Sequence, residues 1–550
     1  MSLHPEANGE IPELTRNVAR ASFPKPTPPM VLRDELGTLF SDPDFAGLYG
    51  TRGQPALSPW RLMVVTMLQF LENLTDRQAA NAVRARIDWK YALGLELTNT
   101  GFDASVLSEF RTRLITGELE EFALTRLLEH CQARDLLRAG GKQRTDSTHV
   151  LAAVRQLNRL ELFGETVRAA LNELAVEDGP WLRTLARPEW LERYAHRVED
   201  YRLPRSDQQR DAYLQQAAED GLTLLRALEI HPRGTNLLAL PRVKALKQVW
   251  DQQCSQQSGT IQPKPLDELA SGAARIENPY DPEARFSIKR QTRWMGYKAH
   301  VSESCDDARP HLITSIVTTP ATTADASMTR DILDHLDEQG LFPGEYLVDQ
   351  GYTSASFLTE AAERGLDLVA PVRAGSNWQD RADHELQAFT TEAFELHWDE
   401  KYAMCPNGKR SRYWNPWSTK DKARVNVRFH IADCSVCPLK VRCTRATHRG
   451  LTLLPQEIHD ARLAARAYVQ SEEYRRRYQR RAGIEATMSQ GTRTFGLRRA
   501  RYCGVEKLTF QHVMTAVAIN LARLVDWWDQ GSTQRPPRTR PAFQRLMQAA

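Results

Sequence analysis

The chain lacks a long hydrophobic run. A membrane-spanning helix needs about 20 consecutive apolar residues, and the best stretch, Leu62 to Phe70, is short and carries Gln69. No basic-then-apolar leader opens the sequence. The two absences together lead us to expect a cytoplasmic protein with no membrane partner. A strong charge excess is also lacking: 73 Lys and Arg face 69 Asp and Glu, a net charge of +4. The whole molecule is therefore no polycation, and any surface for nucleic acid has to come from local clustering of basic residues. No internal repeat is visible, which excludes a solenoid or propeller. Cysteines number only eight, and in a cytoplasmic chain they are expected as thiols or metal ligands rather than disulfides. What is present is a globular composition, 41% hydrophobic and 26% charged over 550 residues, enough for about three or four units.

Residues 1–29 contain six prolines and little periodicity, and read as a flexible arm. Residues 30–138 read as short helices with turns, a pattern that suits a helix-turn-helix bundle. Ser58-Pro59 and Thr75-Asp-Arg-Gln78 each look like a capped helix start. Residues 142–153 are rich in β-branched and apolar side chains and predict a buried strand. Leu157, Leu160, Gly164, Val167, Leu171 and Leu174 follow helical spacing and open a helical insertion. Gln and Ser enrichment near 252–263 reads as a linker. The period then shifts to two. Tyr297–Ser304 and His311–Thr319 predict an antiparallel strand pair. A helix near 325–339, a strand at 345–349, a helix at 354–364 and a strand from Leu366 give an α/β alternation. Residues 376–455 are strand-like and cysteine-bearing, and 459–489 and 505–528 read as helical.

Chemistry concentrates on three carboxylates. Asp146 sits among β-branched neighbours in a predicted strand, where Asp is disfavoured. Asp349 ends the strand Tyr346-Leu-Val-Asp, before Gln350-Gly351, at the kind of strand edge where open α/β sheets bind ligands. Glu485 lies inside a predicted helix. Around it, residues 475–501 hold nine arginines and no other acid. A segment that basic repels itself unless it faces a polyanion. Converging carboxylates also repel, and hard divalent cations relieve that by binding oxygen. Each carboxylate alone is more ordinarily a cap, a turn residue or an ion-pair partner.

The stretch Tyr478, Arg481, Glu485 resembles the Tyr-x2-Arg-x3-Glu-x6-Lys signature of bacterial insertion-sequence transposases of the DDE class. Thr492 stands where that signature has Lys, with Arg493 next. Thr145-Asp146-Ser-Thr, Gly296-Tyr297-Lys298-Ala-His300, Thr322-Thr-Ala-Asp325 and Val348-Asp349-Gln-Gly351-Tyr352 resemble further motifs of the family. So do Gly496-Leu-Arg498-Arg499-Ala-Arg501-Tyr502 and Ala518-Ile-Asn520-Leu-Ala-Arg523. The resemblance implies a ribonuclease-H-like core, a mixed five-stranded sheet with flanking helices, made from residues 139–154, 285–375 and 456–528. It implies an all-α DNA-binding domain at 30–138, a helical insertion at 155–284, a β-rich cysteine-bearing insertion at 376–455 and a basic tail at 529–550.

On that resemblance, Asp146, Asp349 and Glu485 are the catalytic and metal-binding residues for two Mg²⁺ (or Mn²⁺) ions. Tyr478, Arg481, Arg493, Lys298, Arg498, Arg499 and Arg501 are the expected DNA contacts. The implied reaction is cleavage at transposon ends, followed by strand transfer of the 3′-hydroxyl into target DNA. The partners are the terminal inverted repeats, target DNA and a second copy in a synaptic homodimer, in the cytoplasm beside the nucleoid. Two alternatives stay open: a retired or domesticated DNA-binding protein, and a related nuclease that does not join strands. Cys405, Cys434, Cys437 and Cys443 form Cys-x28-Cys-x2-Cys-x5-Cys, a set that suits structural Zn²⁺. The remaining readings are four reduced thiols and an iron–sulfur cluster. Trp378, Trp398, Trp414 and Trp417 are expected mainly as core of the insertion, and His149 and His300 as satisfied polar residues rather than ligands.

Overall fold

The computed structural model describes residues 1–530 and 546–547, except 7–8, 258–259, 290, 373–377, 382–386 and 420–421. Most of the expected basic tail, and Arg373, a residue whose charge suits a phosphate contact, lie outside the described residues. Helices α1 (Glu13–Ser22), α2 (Pro28–Leu36), α3 (Pro59–Leu71), α4 (Asp76–Ala85), α5 (Ile87–Leu93), α6 (Ser105–Thr116) and α7 (Phe122–Ala133) come first. Strand β1 (Lys142–Leu151) follows. Then come α8 (Arg159–Glu177), α9 (Gly179–Leu185), α10 (Pro188–Tyr194), α11 (Asp207–Glu229), α12 (Gly234–Leu238) and α13 (Pro241–Gln253). Strands β2 (Cys254–Gln257), β3 (Thr260–Pro263), β4 (Arg285–Lys289), β5 (Thr292–Ser304) and β6 (Ile313–Pro320) come next. Helix α14 (Thr329–Glu338), strand β7 (Glu345–Val348), helix α15 (Ala355–Glu363) and strand β8 (Asp367–Val369) alternate, and α16 (Trp378–Arg381) follows. The cysteine-bearing stretch holds β9 (Glu395–His397), β10 (Tyr402–Met404), β11 (Tyr413–Thr419), β12 (Lys422–Arg428), α17 (Ile431–Ser435), α18 (Lys440–Cys443) and β13 (Gly450–Leu453). Helices α19 (Gln456–Val469), α20 (Glu472–Tyr478), α21 (Gly483–Thr494) and α22 (Val505–Gln530) close the chain.

These elements form two compact units. One contains Met1–Arg138, Asp146–Thr323 and Glu485–Ala550, the other Ala139–Thr145 and Ala324–Ile484. The chain is mixed α/β with a helical N-terminal region and a mixed sheet, as expected.

In the first unit, α3 starts at Pro59 as predicted, with Ser58 at its N-cap but no cap bond from the serine. The cap comes from the buried Asp42 instead, whose Oδ1 accepts Ser58 Oγ–H at 2.8 Å and Trp60 N–H at 3.1 Å. Helix α4 opens on the predicted Thr75–Gln78 capping box. Phe40, Phe45, Phe110 and Phe122 pack edge to tilted face beneath these helices, with ring centroids 5.4–6.2 Å apart. The first 29 residues, expected as a flexible arm, instead carry α1, whose Thr15 and Ala19 are buried. Thr15 Oγ–H is bonded to the Leu95 carbonyl at 2.8 Å. Helices α8–α13 share a core around Phe163, Val167, Leu174, Leu246 and Trp250. The expected linker at 252–263 is a hairpin, with β2 and β3 paired antiparallel and Ile261 buried in that core. Isolated polar composition misled there, because one apolar residue every other position is enough for a half-buried strand.

Strands β4, β5 and β6 are antiparallel neighbours. Helix α22 packs against β6 on one side and against α2, α3 and α7 on the other. By length and composition it could cross a membrane, yet 78% of its most apolar window is buried inside the protein. Its polar residues are matched to backbone groups: Asn520 accepts Ile313 N–H at 2.7 Å and donates to Ile313 O at 2.8 Å, and Gln511 donates to Arg499 O at 2.8 Å.

In the second unit, the first four residues of β1 pair in parallel with β7, and β7 pairs in parallel with β8. β8 is only three residues long, because Pro371 follows closely and lacks an N–H for the ladder. Strands β11, β12 and β13 make a small antiparallel sheet over Phe394, Val425, Val427, Phe429, Leu451 and Leu453. The helix expected over 459–489 breaks into α19, α20 and α21, because Ser471 caps α20 through Tyr474 N–H and a 3-10 stretch, Gln479–Ala482, precedes α21.

Candidate active site

Three segments of the second unit meet at one point. β1 runs beside β7 in the register Arg144↔Leu347 and Thr145↔Val348. The Tyr346 hydroxyl donates to Thr145 Oγ1 at 2.8 Å. Arg144 is buried and donates from Nη1 to the Arg480 carbonyl at 2.5 Å, in the 3-10 stretch that leads into α21. Its guanidinium fills the space where a Cβ at position 483 would stand, so Gly483 lets the turn pass against the strand. In sequence, Asp146 follows Thr145, Asp349 follows Val348, and Glu485 comes two residues after Gly483; Asp146 and Glu485 belong to the first unit and Asp349 to the second.

Asp146 is half-buried, and its Oδ1 accepts its neighbour's N–H, Ser147, at 2.7 Å. Asp349 Oδ1 accepts Gly351 N–H at 2.8 Å and caps the 3-10 turn Gln350–Tyr352. A glycine after a strand-end Asp suggests a sharp turn that needs its backbone freedom. The φ of Gly351 is not among the positive ones, and the reason is space: a Cβ there would stand 2.9 Å from Asp349 Oδ1 and 3.3 Å from Asp325 Oδ2. Asp325 is therefore a second carboxylate at the Asp349 turn. In the sequence it closes the stretch Thr322-Thr-Ala-Asp325, which carries no signal of its role. Glu485 is exposed in the first turn of α21, while Ile484, Thr487, Met488 and Gly491 form that helix's buried face. Among the described residues no group of three His, Cys, Asp or Glu side chains is gathered closely enough to hold an ion.

The expected DNA contacts divide. Tyr478 stacks on Tyr474 at 5.1 Å, and the Arg481 guanidinium lies 5.9 Å from the Tyr478 ring, so the Tyr-x2-Arg spacing makes a cation–π pair one helical turn apart. Arg493 and Arg499 are exposed. Arg498 Nε donates to Thr148 Oγ1 at 2.7 Å, and Thr148 shares a strand face with Asp146. Lys298 Nζ donates to Thr323 O at 2.7 Å. Arg501 is engaged inside the fold: it is bonded to Asn73, and its guanidinium lies 4.8 Å from the Phe70 ring. Thr492 Oγ–H turns back to Met488 O at 2.7 Å. His149 lies 5.6 Å from Trp294, and burial, with Arg498 nearby, keeps its ring below the usual histidine range. His300 is buried, its Nε2 3.0 Å from Thr319 Oγ1.

Cys405, Cys434, Cys437 and Cys443 line a single pocket with Lys409, Phe429 and Arg449. All four are free thiols of intermediate exposure. Burial pushes the Cys443 thiol up to about 11, Arg449 opposes this, and the other three cysteines add to it. Lys409 N–H points to Cys405 Sγ at 3.4 Å. Trp398 and Trp414 pack edge to face at 5.2 Å against the small sheet's core, whereas Trp417 is exposed.

Residues 404–525, which include Glu485 and the cysteine pocket, match the family described as Transposase DDE domain. Residues 21–113, spanning α2 to α6, match Transposase domain (DUF772). Both matches support an insertion-sequence DDE transposase. Of the three carboxylates only Glu485 falls inside a matched region of the chain. Among curated proteins and among solved structures nothing matches the chain.

Proposed function

We propose that this transposase cleaves transposon ends in a metal-dependent reaction and transfers the freed 3′-hydroxyl into target DNA, with Asp146, Asp349 and Glu485 as its catalytic carboxylates on a ribonuclease-H-like core. One observation carries the assignment: three segments held together by Arg144, Thr145 and Gly483 each lead into one of those carboxylates. The donor set fits a hard divalent cation, since carboxylates offer only oxygen. Asp146, Asp349 and Glu485 would hold Mg²⁺ or Mn²⁺, and the ion's chemistry is activation of a water or hydroxyl and stabilisation of the leaving oxygen. Around it the chain's own groups orient DNA. Arg481, braced by Tyr478, and the exposed Arg493 and Arg499 offer positive charge to phosphates. Joining two ends calls for two copies, and double-stranded terminal repeats and target DNA are the partners.

The test is end cleavage and strand transfer in Mg²⁺ with Asp349→Asn and Glu485→Gln. Each variant is expected to lose activity by at least ~10³-fold while still binding end DNA, as suits groups that act on the transition state. Wild-type rates in either variant would overturn the assignment. Cleavage without joining by the wild-type protein would favour the nuclease reading. Binding without either reaction would favour a retired transposase.

For the cysteine pocket we propose structural Zn²⁺. The four thiols line one pocket and are the donor type a tetrahedral site uses, but they would have to draw closer together than they stand to hold the ion.

A further inference from the structure

Beneath α21, on the side away from Glu485, lies a carboxylate that is fully buried. Glu303, on β5, has no exposed surface. Its Oε2 accepts two bonds, from Thr487 Oγ1 at 2.6 Å and from Arg523 Nη1 at 2.7 Å. Arg523, on α22, also donates from Nη2 to Thr487 Oγ1 at 2.5 Å, from Nε to Gln490 Oε1 at 3.1 Å and from Nη1 to the His311 carbonyl at 2.6 Å. All of these residues belong to the first unit. We infer that the Glu303–Arg523–Thr487 network sets the rotation of α21 about its axis, and so fixes the direction in which Glu485 is presented. The inference rests on Glu485 being catalytic.

Three features make this more than a core ion pair. The first is place. Thr487 is two residues past Glu485, about 200° around an ideal helix, so a rotation that shifts one side chain shifts the other by the same angle in nearly the opposite direction. The second is direction. Arg523 has no acceptor, so the Thr487 oxygen must accept from it and the Thr487 proton must go to Glu303. One hydroxyl orientation satisfies both partners. The third is leverage. Arg523 grips α21 at Thr487 and again at Gln490, close to one turn further along. The apolar contacts of Ile484 and Met488 tolerate small slides and rotations, whereas paired directional bonds do not. A buried ion pair is weak evidence for stability, and its best-attested service is to specify one arrangement. Glu303 and Arg523 thus act as positioning residues for Glu485, and none of the three network residues needs to touch DNA.

The test uses the full-length protein and its end DNA. Thr487→Val keeps shape and removes the hydroxyl. It is expected to lower kcat for end cleavage by about 10- to 100-fold, the cost of a catalytic group displaced by about an ångström, while KM for end DNA stays within about twofold. Amides of residues 484–494 should exchange faster with solvent deuterium, and Thr487→Ser should restore kcat to near wild type. If Thr487→Val does not fold, Gln490→Met serves instead, with the same kcat and exchange signs expected. The inference is overturned if kcat is unchanged, or if kcat, KM and Tm fall together and serine restores nothing. Glu485→Gln separates the two levels. If it cleaves normally, the proposed catalytic assignment fails. If it is inactive while Thr487→Val is fully active, only the positioning fails.

Discussion

Asp349, proposed above as catalytic, sits in a crowded turn, and the crowding sets a sharp expectation. A methyl at position 351 would press on Asp349 Oδ1 and on the Asp325 carboxylate at once. Gly351→Ala should therefore push Asp349 off its bond to the 351 amide and cut end cleavage by ~10²-fold, with Tm within a few degrees of wild type, because a misplaced catalytic group is felt in rate first. Unchanged cleavage would show that the turn has slack. His512 offers a pH signature. It is fully buried, and burial holds its ring down at about 3, with only a backbone contact at Leu497 opposing. The ring faces Thr318 Oγ1 at 2.7 Å through Nδ1. The folded value lies below the unfolded one near 6.5, so the unfolded chain takes up the proton first. The stabilisation is present above pH ~6.5 and is lost as pH falls toward 3. Tm should drop between pH 7 and 4, and His512→Asn should flatten that slope. At this scale the sequence was legible where chemistry repeats a motif. The Tyr478–Arg481 pair, one helical turn apart, follows the spacing of the motif the segment resembles. Arg144, Glu303 and Thr487 could not be read this way, since a buried polar residue announces itself only through partners hundreds of positions away. Arg501 misled for the converse reason: charge in a basic run looks available until packing occupies it.

Elements were readable where local chemistry decides them. The capping box at Thr75, the α/β alternation from 329 to 369 and the β5–β6 pair follow from caps and periodicity, which act within a few residues. The failures share one cause, support from elsewhere in the chain. Helix α1 rests on partners such as the Leu95 carbonyl, β2–β3 close over the insertion's core, and α3 is capped by Asp42 from 16 residues before Ser58. That last contact can be tested. Asp42→Ala leaves the Trp60 amide and the Ser58 hydroxyl without their acceptor inside the protein. Loss of a cap together with a buried unsatisfied donor costs about 1–3 kcal/mol. Chemical denaturation should show that loss with an unchanged m-value. A loss below 0.5 kcal/mol would mean another acceptor takes over. The cysteine pocket is likewise testable as an element. As purified, the protein should carry about one zinc per chain by mass spectrometry of the metal. Cys437→Ser should lose the metal and lower Tm, and a metal-free protein of equal stability would leave four reduced thiols as the correct reading.

At the scale of the whole molecule, charge is distributed unevenly. Residues 531–550 contain four arginines and no acid, which equals the chain's entire net charge of +4, so residues 1–530 are formally neutral. A neutral body has little long-range pull on DNA, so on the proposed function end recognition would depend on local groups such as the exposed Arg493 and Arg499 and the exposed arginines of α20. The last 20 residues would act differently, supplying charge without a fixed geometry requirement. Each phosphate neutralised contributes about 0.9 to the slope of log K against log salt on duplex DNA. A variant ending at residue 530 should therefore bind all duplexes more weakly at 50 mM salt, with the slope shallower by up to about 3.6. Its preference for end DNA over unrelated DNA should be unchanged, as should kcat at saturating DNA. If the preference falls instead, the C-terminal arginines read sequence or register, and recognition extends beyond the helices that carry Tyr478 and Arg493. If neither slope nor preference moves, the DNA surface lies wholly within residues 1–530, and the clustering of arginines around Glu485 is sufficient to hold a polyanion on a neutral body.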